Sequence, residues 1–102
     1  MSESLTLRST VIAGHRLEDD YEVRWEGHEI GRIRLATEQS HKGIIWNWHI
    51  NPPMPIPSWC NSSADCLEEA KEQFKAAWQR FREVTPESAF ERAWETVRRA
   101  ER

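Results

Sequence analysis

Glycine is scarce in this sequence: four residues, well separated, so there is no glycine-rich loop to cradle a phosphate. Cysteine is scarcer. Cys60 and Cys66 are the two, too few for the disulfide framework of a small secreted domain. Five residues lie between them, against the two to four of structural zinc pairs, so ordinary thiols near a helix start are expected. Cys66, close to that helix start, is the candidate for a reactive thiol. There is no excess of positive charge: 14 Lys and Arg stand against 17 Asp and Glu, a net charge of −3. That argues against a dedicated nucleic-acid binder, though a local basic patch remains compatible with it. No stretch approaches the ~20 apolar residues of a membrane span. Met1-Ser2-Glu3-Ser4 has neither the positive start nor the apolar run of a signal peptide. No membrane partner is expected, and the expected compartment is the cytoplasm. No Gly-x-Ser-x-Gly or comparable context surrounds any serine, so an enzyme is not expected, nor any cofactor or metal.

Aromatic residues are what the chain does have. Six Trp, three Phe and one Tyr among 102 residues give a small core much area, at roughly 150–250 Å² per ring. The length suits one domain spanning residues 1–102.

Period-two alternation marks the first half. Leu5, Leu7, Ser9 and Val11 alternate with Thr6, Arg8, Thr10 and Ile12, as in an edge strand. Residues 14–20 are polar and read as a connection. Tyr21, Val23 and Trp25 alternate with Glu22, Arg24 and Glu26, and Glu26-Gly27 is a hairpin turn in which Gly27 supplies positive φ. The following strand sets Gly31, Ile33 and Leu35 on one face and Ile30, Arg32 and Arg34 on the other. After a polar loop over 37–43, Ile44, Trp46, Trp48 and Ile50 alternate with Ile45, Asn47 and His49.

Residues 51–63 hold Pro52, Pro53, Pro55 and Pro57 and read as an extended loop. A helix follows, with Asp65 and Glu68 as a capping-box pair and Leu67, Ala70, Phe74, Ala77, Trp78 and Phe81 as its apolar stripe. Thr85-Pro86 starts a second helix, with Ala89, Phe90, Ala93, Trp94 and Val97 on one face. The expected fold is α+β. A three- to four-stranded antiparallel meander (near 5–12, 21–26, 28–36 and 44–50) precedes two helices (near 65–83 and 86–100). The first helix covers the tryptophan-bearing sheet face. The second either folds back over the core edge or pairs with a second copy, leaving a monomer or a homodimer.

Three surfaces remain. Arg24, Arg32, Arg34, Asn47 and His49 share the far sheet face, either as a platform for an anionic partner or as a solvated face of cross-strand ion pairs. Met54, Ile56 and Trp59 punctuate the proline loop, either as an apolar docking edge or as a lid on the core. The second helix is the third surface. Abundant tryptophan without site chemistry points to a small non-enzymatic module, protein-binding or regulatory and inhibitory, with another protein as partner. The alternative is a nucleic-acid-associated domain using the arginine face.

Tyr21-Glu22-Val23, Gly31-Arg32-Ile33, Trp46-Asn47-Trp48 and Glu68-Glu69-Ala70-Lys71 with Phe74-Lys75-Ala76-Ala77-Trp78 occur in that order. As a set they resemble a group of short uncharacterised bacterial proteins of alphaproteobacterial type, over residues 21 to about 81. That group has no assigned activity, so the resemblance implies no catalytic residue. The stretch Asp65-Cys66-Leu67-Glu68-Glu69-Ala70 is similar to the helix start that follows the strands in HicB-type antitoxin domains.

Overall fold

A computed structural model describes residues 5–36 and 45–101. The polar loop expected over 37–43, with His41, lies outside the described residues, as do Ile44 and residues 1–4. Five strands form one antiparallel sheet in chain order: β1 (Thr6–Ile12), β2 (His15–Trp25), β3 (His28–Leu35), β4 (Trp46–Ile50) and β5 (Asn61–Ala64). Two helices follow, α1 (Leu67–Val84) and α2 (Glu87–Ala100). The α+β meander with α1 on the sheet is therefore the fold. Neither described helix is long and apolar enough to cross a membrane.

Two-residue turns join the first three strands. Glu26 and Gly27 have φ of 47° and 82°, and Ala13 and Gly14 have φ of 52° and 81°. Positive φ at both central positions matches the right-handed twist of a hairpin. The second turn changes the expected layout, because residues 15–20 are not a connection but the start of β2. That half of β2 is mostly exposed, so it shows no apolar alternation.

β5 is also unexpected. The proline segment ends at Pro57, whose φ of −61° and ψ of 153° lead into a short 3-10 turn (Ser58–Cys60) closed by Cys60 N–H donating to the Pro57 carbonyl at 3.0 Å. The chain then pairs along β4, with Trp46 opposite Ala64 and His49 opposite Asn61. β4 thus gains the backbone partners its outer edge needs.

Val23, Ile33, Trp46, Trp48 and Ile50 are buried with Phe74, Trp78 and Phe81 of α1. Trp48 and Phe74 meet edge to face at 5.7 Å, and the Trp48 indole N–H donates to Gln73 at 2.8 Å, pinning the helix to β4. Gly31 sits under the Phe74 ring: a Cβ there would fall 2.4 Å from that ring and 2.3 Å from the His49 carbonyl oxygen. Ile30 departs from the expected alternation, being wholly buried among the core residues. A bulge explains it. Val23 pairs with Gly31 but Arg24 pairs with Glu29, so Ile30 is the extra residue on β3.

α1 begins one residue later than the expected cap, with Cys66 rather than Asp65 at the N-cap position. Pro86, extended at ψ 144°, is likewise the N-cap of α2 rather than its first helical residue. α2 folds back over the core edge. Phe90 packs edge to face on Trp78 at 5.6 Å and on Phe81 at 5.3 Å, and Trp94 stacks flat on His28 at 4.0 Å.

Candidate functional site

Opposite the face that α1 covers, the sheet presents polar and charged side chains. Register places Asp20 opposite Arg34, Glu22 opposite Arg32, Arg32 opposite His49, and Arg34 opposite Asn47. Alternation along β2, β3 and β4 therefore brings Arg24, Arg32, Arg34, Asn47 and His49 to one face, as expected. The acidic residue at its centre, Asp20, falls in a polar segment whose sequence reads as a connection and so gives no strand parity.

Asp20 is 7% exposed and organises the face. The Arg32 guanidinium grips it with two hydrogen bonds, Nε to Oδ1 at 2.7 Å and Nη2 to Oδ2 at 2.5 Å. The buried Thr10 hydroxyl donates to Oδ1 at 2.8 Å. A bulge makes this possible. Between the pairs Ser9–Tyr21 and Val11–Arg16, residues 17–20 stand opposite Thr10 alone, and Asp19 takes φ of 55°. Burial by itself would push the Asp20 carboxyl up, but the hydrogen bonds from Arg32 and Thr10, with the charges of Arg32 and Arg34, hold it below its ordinary value. Arg32 is raised in turn, chiefly by its hydrogen bonds to Asp20. Arg24 donates to the Gly27 carbonyl at 2.7 Å and lies 3.8 Å from Glu22. Partial desolvation lowers the His49 imidazole, and the nearby Arg32 charge adds to it, so neutral His49 dominates at pH 7. Arg32 and Arg24 are thus each engaged within the face, Arg32 across strands by Asp20 and Arg24 by Glu22 of its own strand and the Gly27 carbonyl.

The linkage of Asp20 gives an expected result. The unfolded chain takes up this proton near 3.8 and the folded chain only at lower pH. The contribution is therefore complete above about pH 4 and is lost as pH falls through the folded value. Asp20→Asn should lower stability at pH 7 by about 2 kcal/mol, since charge-assisted hydrogen bonds become neutral ones. It should also flatten the acid limb of stability against pH, measured by urea denaturation between pH 2 and 7.

The proline loop closes on the core. Met54, Ile56 and Trp59 are each partly buried and packed against it. Trp59 meets Phe81 edge to face at 6.3 Å and carries the Arg80 guanidinium 4.1 Å above its ring. Cys60 beneath the loop is wholly buried, which pushes its thiol up to about 11 despite the opposing charge of Arg80. Cys66 is exposed. Among the described residues no three His, Cys, Asp or Glu side chains converge as a metal site.

Apolar surface lies elsewhere, at the β1–β2 hairpin. Val11 and Ile12, beside its turn, are 58% and 54% exposed. Nearer the helices, a groove of about 440 Å³ runs between β1 and α1, floored by Leu7, Val23, Ile33 and Phe74 and edged by Lys71 and Lys75. Sequence patterning marks the Leu5–Val11 alternation as an edge strand. It does not show that α1, which contacts β3, β4 and β5, leaves that edge open. A second cavity, also of about 440 Å³, separates the β2–β3 turn from α2 and is lined by residues of both charge signs, among them Arg24, Glu29, Arg98 and Glu101. No family model, curated protein or solved structure matches the chain.

Proposed function

We propose that the protein is a small, non-enzymatic, cytoplasmic protein-binding module of regulatory or inhibitory kind, engaging its partner through the β1–β2 hairpin. The observation that carries this reading is the hairpin end itself, where Val11 and Ile12 are both more than half exposed on an edge strand. Adjacent apolar side chains on an edge with which no described residue pairs invite association, which proteins otherwise suppress with charge or proline. The likeness to HicB-type antitoxin domains is consistent with a protein that acts by occupying another. The nucleic-acid reading has less support, since Arg32 is held by Asp20 and Arg24 by Glu22 and Gly27. A homodimer through α2 also has less support, because Phe90 and Ala93 are already buried within the chain.

The test is affinity capture from a lysate of the native host, quantified by mass spectrometry, with Val11→Asp/Ile12→Lys as comparison. Both side chains are exposed, so the variant keeps its fold by circular dichroism. Proteins enriched by the wild type should drop at least tenfold in the variant. Equal enrichment by both proteins would remove the hairpin from the binding surface.

A further inference from the structure

The groove between β1 and α1 brings three separate features to one place. β1 is the sheet's terminal strand, and among the described residues nothing pairs with its outer edge. Half of its backbone N–H and C=O groups therefore point away from β2 and are free to bond an added strand. Leu5 and Leu7 share the helix-side face with Val23, and the groove between them and Phe74 is apolar. Lys71 and Lys75, one helical turn apart, stand along the groove on α1. Lys71 meets Glu68 at 3.1 Å in an exposed pair, weak in water and readily exchanged for another carboxylate.

We infer that this edge takes an extended segment of a partner protein that carries apolar and acidic residues on one and the same face and adds to the sheet beside β1. Backbone bonds to β1 supply the pairing. Only the side chains at every second position of the added strand face the helix side; the apolar ones among them fall beside Leu5 and Leu7, and the acidic ones reach Lys71 and Lys75. A second copy of this chain is the poorer occupant. Antiparallel β1–β1 pairing would set Arg8 near Arg8 and bring two lysine pairs to one seam, and like charges there oppose docking. An acidic strand meets the same charges as attraction.

The inference rests on the protein-binding reading, and a different readout tests it. Random dodecapeptides displayed on phage are selected against the full chain, and an enriched peptide is titrated by fluorescence anisotropy. Enriched sequences should carry apolar residues and Asp or Glu two positions apart, on one strand face. The wild type should bind such a peptide at least tenfold tighter than Lys71→Glu/Lys75→Glu, and a lysine-substituted peptide should reverse that order. Amide hydrogen exchange in β1 should slow on binding. The inference is overturned by no enrichment, by enriched peptides without acidic residues, or by equal affinity for the charge-reversed variant. A dimer seen by analytical ultracentrifugation and abolished by Arg8→Pro would give the edge to a second copy instead. If host capture still depends on Val11 and Ile12 while acidic peptides fail, the partner chemistry falls and the protein-binding reading stands.

Discussion

Alanine at Gly31 is expected to destabilise the domain by about 3 kcal/mol, at the upper end for overpacking a core. For a chain of this size that corresponds to a fall in Tm of roughly 15 °C. The added methyl would sit 2.3 Å from the His49 carbonyl oxygen and 2.4 Å from the Phe74 ring. Neither neighbour yields easily. The carbonyl belongs to the β3–β4 ladder, and Phe74 is wholly buried against Trp48. Thermal and urea denaturation measure the loss. Phe74→Leu in the alanine background should recover only part of it, because the ring contact is relieved while the backbone contact persists. Full recovery would show that the sheet itself has room. A loss below ~1 kcal/mol would mean that β3 and α1 do not approach as described.

Removing the Trp78 ring is expected to cost about 4 kcal/mol. Trp78 is wholly buried and touches Trp25 at 5.6 Å, Phe81 at 6.2 Å and Phe90 at 5.6 Å, so it joins sheet, α1 and α2. Trp78→Ala opens a cavity at that junction, and α2 loses the ring on which Phe90 rests. Backbone amides of α2 should then exchange faster than those of β3, and hydrogen exchange by mass spectrometry distinguishes the two. Trp78→Phe is the informative companion. The Trp78 indole N–H is buried without a protein acceptor among the described residues, so its deletion breaks no hydrogen bond to the protein. The phenylalanine variant should lose less than half of what alanine loses. Equal losses would give the indole N–H a structural role that ring packing does not supply.

Much of this fold is legible in the residues. Trp46 and Trp48 alternate with Asn47 and His49, and period two alone assigns them to opposite faces of β4. The three- and four-residue spacing of Ala70, Phe74, Trp78 and Phe81 likewise assigns the buried stripe of α1. The misses share a cause, which is that pairing partners decide them. Asn61 to Ser63 are exposed and polar, so β5 exists only because β4 offers an edge. Ile30 enters the core through a bulge that no alternation announces. The candidate site divides in the same way. Parity places Arg24, Arg32, Arg34 and His49 on one face; Asp20 shares it by regular β2–β3 pairing but lies in a polar segment that shows no strand pattern, and Thr10 reaches it only through a register shift between β1 and β2. The openness of the β1 edge depends on where α1 lies across the sheet, which a helix's own periodicity leaves undetermined.

The sequential order of the sheet bears on how the chain is made. Each strand pairs with the one synthesised just before it, so the ladder from β1 to β5 closes without waiting for later residues. The covering helix α1 follows the whole sheet, and Phe74, Trp78 and Phe81 emerge only after β5. At ~5–20 residues per second, the twenty residues from Ala64 to Val84 take roughly one to four seconds. During that interval Trp25, Trp46 and Trp48 lack the helix that buries them, and the nascent sheet presents an aromatic face to whatever lies near the ribosome exit.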